Sequence, residues 1–120
     1  MEEEVNFKTV HKVITVTPDG YELFGKSYEY EVSFSLDFTI ATNGPGDGDA
    51  GHGGRVAMIL RNGGGFANSL TICAGDAKRK IEWDEIQFII CGADEHSVLI
   101  EMLTEALNML TKINPSFSII

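Results

Sequence analysis

The feature that most constrains the fold is a run of alternating apolar and polar residues between Tyr28 and Thr42. One set of alternate positions holds Tyr28, Tyr30, Val32, Phe34, Leu36, Phe38 and Ile40, and the other holds Glu29, Glu31, Ser33, Ser35, Asp37 and Thr39. Successive side chains of a strand point to opposite faces, so this period predicts a strand with one buried face and one solvated face. A single strand of this length would extend about 50 Å at roughly 3.3 Å per residue, so we expect a bend or bulge within it.

Further strands are indicated by runs rich in β-branched and apolar residues that are bounded by turn-forming residues. They are predicted at Val5–Thr17, Arg55–Arg61, Phe66–Ala74 and Ile81–Cys91. Arg55–Arg61 is continuously apolar between its arginines, which is typical of a central strand that is covered on both faces. The glycines at 63–65 favour a hairpin, so we expect Phe66–Ala74 to return beside Arg55–Arg61.

The strongest helical pattern in the sequence lies at residues 94–113. Its apolar side is centred on Leu99, Leu103, Ala106, Leu110 and Ile113. Asp94 suits the N-cap position, and Pro115 ends the helix. Strands followed by one amphipathic helix predict an α+β domain, in which an antiparallel β-meander of about five strands is packed on one face by the C-terminal helix.

Size and composition favour one globular domain over residues 1–120. Hydrophobic residues make up 43% of the chain and charged residues 22%, which is too apolar for a disordered protein. No apolar run is long enough to span a bilayer, and the acidic tail at residues 1–4 lacks the basic and apolar parts of a secretory signal. We therefore expect a cytoplasmic protein.

The formal net charge of −9 is unevenly distributed. Residues 1–50 hold ten acids and three bases, residues 51–81 hold one acid and five bases, and residues 82–120 hold seven acids and one base. Most of such a surface repels phosphate groups, which argues against direct nucleic-acid binding and against binding to a membrane surface.

The segment at residues 43–54 is a glycine-rich loop, in which six of twelve residues are glycine. It contains neither a Walker pattern nor a dinucleotide fingerprint, and its aspartates lack the closing glutamate of a calcium loop, so we predict no metal site. With sequential strand order, this loop would share one end of the sheet with the polar loop 75–80. A candidate binding site for a small anion would then combine Asp47, Asp49, His52, Arg55, Lys78, Arg79 and Lys80.

Acidic side chains form a second candidate surface. Glu29, Glu31 and Asp37 occupy the solvated side of the alternating run, and Glu101 and Glu105 lie on the polar side of the helix. Such an array suits a basic groove on another protein, and it also serves as a solubilising surface, which is the commoner role.

Two further features concern the cysteines and the carboxyl terminus. Cys73 and Cys91 lack the spacing of a zinc or redox motif, so we expect buried free thiols, with a disulfide between neighbouring strands as the alternative. The apolar tail at residues 116–120 is expected to dock as an edge strand, either on its own sheet or on a second copy. A homodimer through an edge strand or through this tail follows from the second option.

The sequence assembles no catalytic residues, because neither cysteine has a nucleophile context and no serine occupies a G-x-S-x-G turn. An enzyme is therefore the less favoured class, and we predict no cofactor. The leading hypothesis is a small, acidic, non-enzymatic binding protein that docks on a protein partner, in the manner of an inhibitor, immunity or phage counter-defence factor. The alternatives are a protein or enzyme that binds a small anionic ligand between loops 43–54 and 75–80, and a structural subunit of a larger assembly.

Overall fold

A computed structural model describes residues 8–44 and 54–113. The elements are β1 (Lys8–Val16), β2 (Glu22–Glu31), β3 (Ser35–Thr42), β4 (Arg55–Gly64), β5 (Leu70–Ala74), β6 (Ala77–Ile81), β7 (Glu85–Cys91) and α1 (Ala93–Ile113). A five-stranded antiparallel sheet has the order β1-β2-β3-β4-β7, and β5 and β6 form a separate hairpin. This confirms the predicted α+β class with one C-terminal helix. The packing of that helix on a face of the sheet stays a prediction.

The alternating run is two antiparallel strands rather than one bent strand. β2 ends at Glu31 and β3 begins at Ser35, and in the turn between them the Val32 N–H donates to the Phe34 carbonyl oxygen at 3.0 Å. Paired residues have numbers of the same parity, as Tyr28 opposite Phe38 shows. The alternation therefore continues unchanged through the reversal of the chain, so the pattern predicts which residues share a face and does not reveal the turn.

The pairing of β1, β2, β3 and β4 sorts the residues of the sheet into two faces. Even-numbered residues form one face, on which Val10, Tyr28, Phe38 and Leu60 lie side by side. We call it the apolar sheet face. Odd-numbered residues form the opposite face, which carries most of the charged and hydroxyl groups of β2 and β3, and we call it the polar sheet face.

The most deeply buried side chains lie on the polar sheet face. Leu23, Ala41 and Ala57 are at most 2% exposed. Gly25 lies opposite Ala41, and a Cβ at Gly25 would overlap the backbone carbonyl oxygen of Ile40. Small residues are thus required where β2 and β3 approach closely. The sequence predicted burial for the other face, yet there Leu36 is only half-buried, like Phe34 in the adjacent turn.

The segment between β4 and β7 differs from the prediction. Phe66–Ala74 was expected to return beside β4, but β5 pairs with β6, and residues 77–80 of the predicted polar loop 75–80 belong to β6. β7 is the neighbour of β4, and the Asn62 N–H donates to the Asp84 carbonyl oxygen at 2.8 Å. The twenty-residue connection between β4 and β7 is long enough to fold into a hairpin of its own, and alternation within a strand does not specify its neighbour.

The helix begins one residue earlier than predicted and ends where predicted. The Gly92 carbonyl oxygen accepts the His96 N–H at 3.0 Å, so Asp94 lies in the first turn rather than at the N-cap. No disulfide joins the two cysteines, and Cys73 is exposed whereas Cys91 is half-buried. The predicted burial of Cys73 is therefore wrong, because β5 belongs to the separate hairpin and not to the main sheet.

The chain divides into two compact units, which are Met1–Asn43 with Val56–Ile89, and Gly44–Arg55 with Ile90–Ile120. The prediction of a single domain stays a prediction. The acidic tail 1–4, the apolar tail 116–120 and most of the glycine-rich loop 43–54 lie outside the described residues. In the part of the chain that the structure describes, no helix combines the length and the apolar character needed to cross a membrane.

Candidate functional site

A row of charged side chains crosses the polar sheet face. Glu29 of β2 lies opposite Asp37 of β3, and Asp37 lies opposite Arg61 of β4. Arg61 in turn forms an ion pair with Glu85 of β7. Residues that lie opposite each other share a face, so Glu29, Asp37, Arg61 and Glu85 form one line, which we call the charged row. Three carboxylates and one guanidinium give it a negative balance.

The Arg61–Glu85 pair defines one end of the charged row. Nε and Nη2 of Arg61 donate to Oε1 of Glu85 at 3.1 and 3.0 Å, and Nε2 of Gln87 donates to Oε2 of Glu85 at 2.6 Å. The hydrogen bond from Gln87, followed by that from Arg61, holds the pKa of Glu85 below its ordinary value. The Arg61 side chain is 63% exposed, so the pair contributes little to the free energy of unfolding.

The other end of the charged row is bounded by a histidine. Nε2 of His11 lies 3.2 Å from Oε1 of Glu29. Like charges directly opposite each other repel, so Glu29 and Asp37 favour a cationic group between or beside them.

A shallow depression with a volume of about 280 Å³ lies along the charged row. Ser27, Thr39 and Gln87 supply polar groups to its lining, and Val13 and Ile59 supply apolar ones. This volume is at the lower limit for a small-molecule site. The arrangement suits one cationic or hydroxylated group of a ligand or partner. Within residues 8–44 and 54–113, no three His, Cys, Asp or Glu side chains are placed to hold a metal ion together.

The structure brings part of the predicted acidic surface together. Glu29 and Asp37 are direct neighbours across β2 and β3, and Glu31 follows on the same face, opposite Ser35. Glu101 and Glu105 are exposed on α1, where they border a second depression. The interaction role of these residues stays a prediction.

The candidate anion site was based on sequential strand order, and that order is not observed. Lys78, Arg79 and Lys80 lie on β6 rather than in a loop, and Arg55 is 7% exposed at the start of β4. Asp47, Asp49 and His52 lie outside the described residues. Since β5 and β6 form their own hairpin, the argument that placed the two loops at one end of a meander no longer holds. A small-anion site made of these residues stays an untested prediction.

Sequence reasoning missed Arg61, Glu85 and Gln87 as members of a polar site. Arg61 and Glu85 are twenty-four positions apart and meet only because β7 pairs with β4. Arg61 and Glu85 each lay within a predicted strand, and the charge of each was known. The missing information was the strand pairing, which a single sequence does not carry.

The apolar sheet face exposes several large apolar side chains. Its well-exposed apolar side chains are Val10 (46%), Ile14 (64%), Val16 (60%), Phe24 (55%) and Phe88 (49%). Tyr28 and Phe38 stack at the centre with ring centroids 6.2 Å apart, and burial raises the pKa of Tyr30 nearby. Contiguous exposed apolar patches of this kind mark interaction surfaces in monomeric proteins.

Lysines interrupt the apolar sheet face along β1 and β2. Lys12 lies directly opposite Lys26, and the neighbouring pair on the same face is Ile14 opposite Phe24. These four side chains border one groove. Two like charges placed side by side among apolar groups attract an anionic partner group.

Comparisons with protein-family models, with curated proteins and with solved structures found no significant match to this chain. The function is therefore argued from the geometry alone.

Proposed function

We propose that this chain is a small, acidic, non-enzymatic binding protein that docks on another protein through the apolar sheet face. The observation that carries the proposal is the exposure of large apolar side chains along one face of the sheet, with Ile14 at 64% and Phe24 at 55%. Removing apolar surface from water is favourable by about 25 cal/mol for each Å². A protein partner covers more of that surface than a small polar ligand does, so these side chains favour a protein partner.

The lysines of the apolar sheet face specify the chemistry of that partner. Lys12 and Lys26 flank Ile14 and Phe24 in one groove, so the matching surface is apolar with carboxylates along one edge. The charged row lies on the opposite face. Its carboxylates add to the net charge of −9, which repels the phosphate groups of nucleic acid. Inhibitors, immunity proteins and counter-defence factors are binding proteins of this general kind.

The test is affinity capture with a matched pair of variants. The immobilised chain is exposed to a lysate of its source organism, and retained proteins are identified by mass spectrometry. The double variant Ile14→Ser/Phe24→Ser is expected to lose the retained partner. The control Ile72→Ser/Ile89→Ser also removes two exposed apolar side chains, 46% and 38% exposed, from outside the apolar sheet face, and it is expected to keep the partner. Equal retention by both variants contradicts the proposal.

A structural subunit of a larger assembly is the second candidate function. Its support is that α1 also carries exposed apolar side chains, which gives the chain a second docking surface. Val98, Ile100, Met102, Leu103, Leu107, Met109 and Leu110 are all more than 40% exposed. Light scattering on the isolated protein separates the two candidates, because rings or larger oligomers favour a subunit, and a monomer or a dimer favours a binding protein.

A further inference from the structure

We propose that the partner of the apolar sheet face is a second copy of this chain, which docks there through one side of α1. This inference rests on the proposed function and names the partner for it. Two surfaces carry the argument, namely an acid-edged apolar stripe on the helix and the lysine-edged apolar groove on the sheet.

The helix stripe consists of Val98, Met102 and Met109, with Glu101 and Glu105 along one edge. The spacings of four and seven residues place the three apolar side chains on one side of the helix. Val98, Met102 and Met109 are 56%, 60% and 64% exposed, whereas Leu99 beside them is 8% exposed. Residues 100–110 of the helix are all exposed, and Val98, Glu101, Met102 and Glu105 border one depression on its surface.

The sheet groove places two basic side chains beside two apolar ones, as the helix stripe places two acidic side chains beside apolar ones. Lys12 and Lys26 face each other across β1 and β2, and Ile14 and Phe24 face each other at the next position on the same face. A cross-strand pair of lysines among apolar side chains is unfavourable until an anion meets it. The helix stripe supplies two carboxylates next to two apolar side chains.

The spacing of the charges also agrees between the two surfaces. Residues four apart on a helix have Cβ atoms about 5–6 Å apart, which applies to Glu101 and Glu105. Directly opposed residues in an antiparallel pair have Cβ atoms about 4.5–5.5 Å apart, which applies to Lys12 and Lys26. One helix laid across β1 and β2 therefore meets both lysines with both glutamates, while Val98 and Met102 contact Ile14 and Phe24.

Two charge-reversed variants test this pairing. The helix variant is Glu101→Lys/Glu105→Lys, and the sheet variant is Lys12→Glu/Lys26→Glu. All four substituted side chains are exposed in the wild type. Both variants are therefore expected to keep the wild-type circular dichroism spectrum and a melting temperature within a few degrees of the wild-type value. Sedimentation velocity over a wide range of concentrations measures self-association. Wild-type protein is expected to self-associate, and each variant alone is expected to do so with a Kd raised about tenfold or more.

Mixing the two variants gives the decisive measurement. The lysines of the helix variant then meet the glutamates of the sheet variant, and the unchanged helix and sheet also match, so the mixture is expected to recover the wild-type affinity. The controls Glu31→Lys/Asp76→Lys and Lys78→Glu/Lys80→Glu make the same charge changes at exposed positions elsewhere. These controls are expected to leave the Kd of self-association within about twofold of the wild-type value, because charges far from the contact are screened by salt.

Three results overturn the inference: a wild-type chain that stays monomeric, reversals that change nothing, or reversals that weaken association and are not rescued by mixing. The affinity capture with Ile14→Ser/Phe24→Ser reports separately on the proposed function. If the chain is monomeric and a different protein is still retained through Ile14 and Phe24, only the identity of the partner is wrong. If the chain is monomeric and both variants retain the same proteins, the proposed function fails as well.

Discussion

At the residue scale, Glu85 is the carboxylate whose environment is best defined. Gln87 and Arg61 both donate hydrogen bonds to it, and they hold its pKa below the ordinary value of 4.5. Gln87→Ala and Arg61→Gln are each expected to raise the pKa of Glu85, because each removes a donor that favours the ionised form. Carboxyl carbon chemical shifts followed against pH measure this directly.

The control for Arg61→Gln is Lys78→Gln, which makes the same change in net charge on the β5–β6 hairpin. It is expected to leave the titration of Glu85 nearly unchanged. Because the folded pKa of Glu85 lies below the unfolded one, its contribution to stability is present above the unfolded pKa and is lost as the pH falls through the folded pKa. If Glu85 has the same pKa in the wild type, in Gln87→Ala and in Arg61→Gln, that result contradicts the described hydrogen bonds.

Gly25 is the residue at which the sheet tolerates least change. A Cβ there would overlap the Ile40 carbonyl oxygen and approach the Ala41 Cα to 2.6 Å, and Ala41 is 1% exposed. Gly25→Ala is therefore expected to lower the free energy of unfolding by about 1–3 kcal/mol, the usual cost of overpacking. The control Gly63→Ala meets chiefly the side chain of Ser35 and should cost clearly less. Urea denaturation of the two variants gives the comparison, and equal losses would argue against the close approach.

At the scale of elements, the β2–β3 hairpin is held by aromatic contacts across the apolar sheet face. Tyr28 and Phe38 are cross-strand partners with ring centroids 6.2 Å apart. A double-mutant cycle with Tyr28→Ala and Phe38→Ala is expected to give a coupling energy of about 0.5–1.5 kcal/mol, since aromatic pairs contribute beyond their buried area. The pair Phe24 and Phe38 lies on the same face in different cross-strand rows and should be nearly additive. Additivity for Tyr28 and Phe38 would show that their stacking does not couple them.

The elements also show what the sequence predicted and what it could not. The period of two located most of the strands, although β6 was predicted as loop, and the helical period located α1 to within a residue, because both patterns are local. The turn at 32–34 was missed, since a hairpin with same-parity pairing leaves the alternation intact. The pairing of β4 with β7 was missed too, and with it the meeting of Arg61 and Glu85. Strand pairing depends on contacts between distant residues, which local patterns do not encode.

At the scale of the whole molecule, the β5–β6 hairpin is inserted between β4 and β7, which pair with each other in the five-stranded sheet. β4 and β7 are direct neighbours, and the Asn62 N–H donates to the Asp84 carbonyl oxygen beside the point where the connection returns. Residues 71–80 of the hairpin are all exposed, so they bury little apolar surface. Phe66 is different, because its ring contacts that of Phe34 edge-on with centroids 5.1 Å apart. The part of the connection that stabilises the sheet is thus expected to end before β5.

Replacing Leu70–Ile81 by Asn-Gly tests this division of the chain. Leu70 and Ile81 are cross-strand partners, so a two-residue turn can join the flanking segments with little strain. The shortened chain is expected to fold cooperatively with a melting temperature within about 5 °C of wild type, a shift that corresponds to roughly 1 kcal/mol in a domain of this size. In contrast, Phe66→Ala in the full-length chain should lower the melting temperature by more than this, because the substitution removes the ring contact with Phe34. A shortened chain that fails to fold would mean that the exposed hairpin is required for the five-stranded sheet to form.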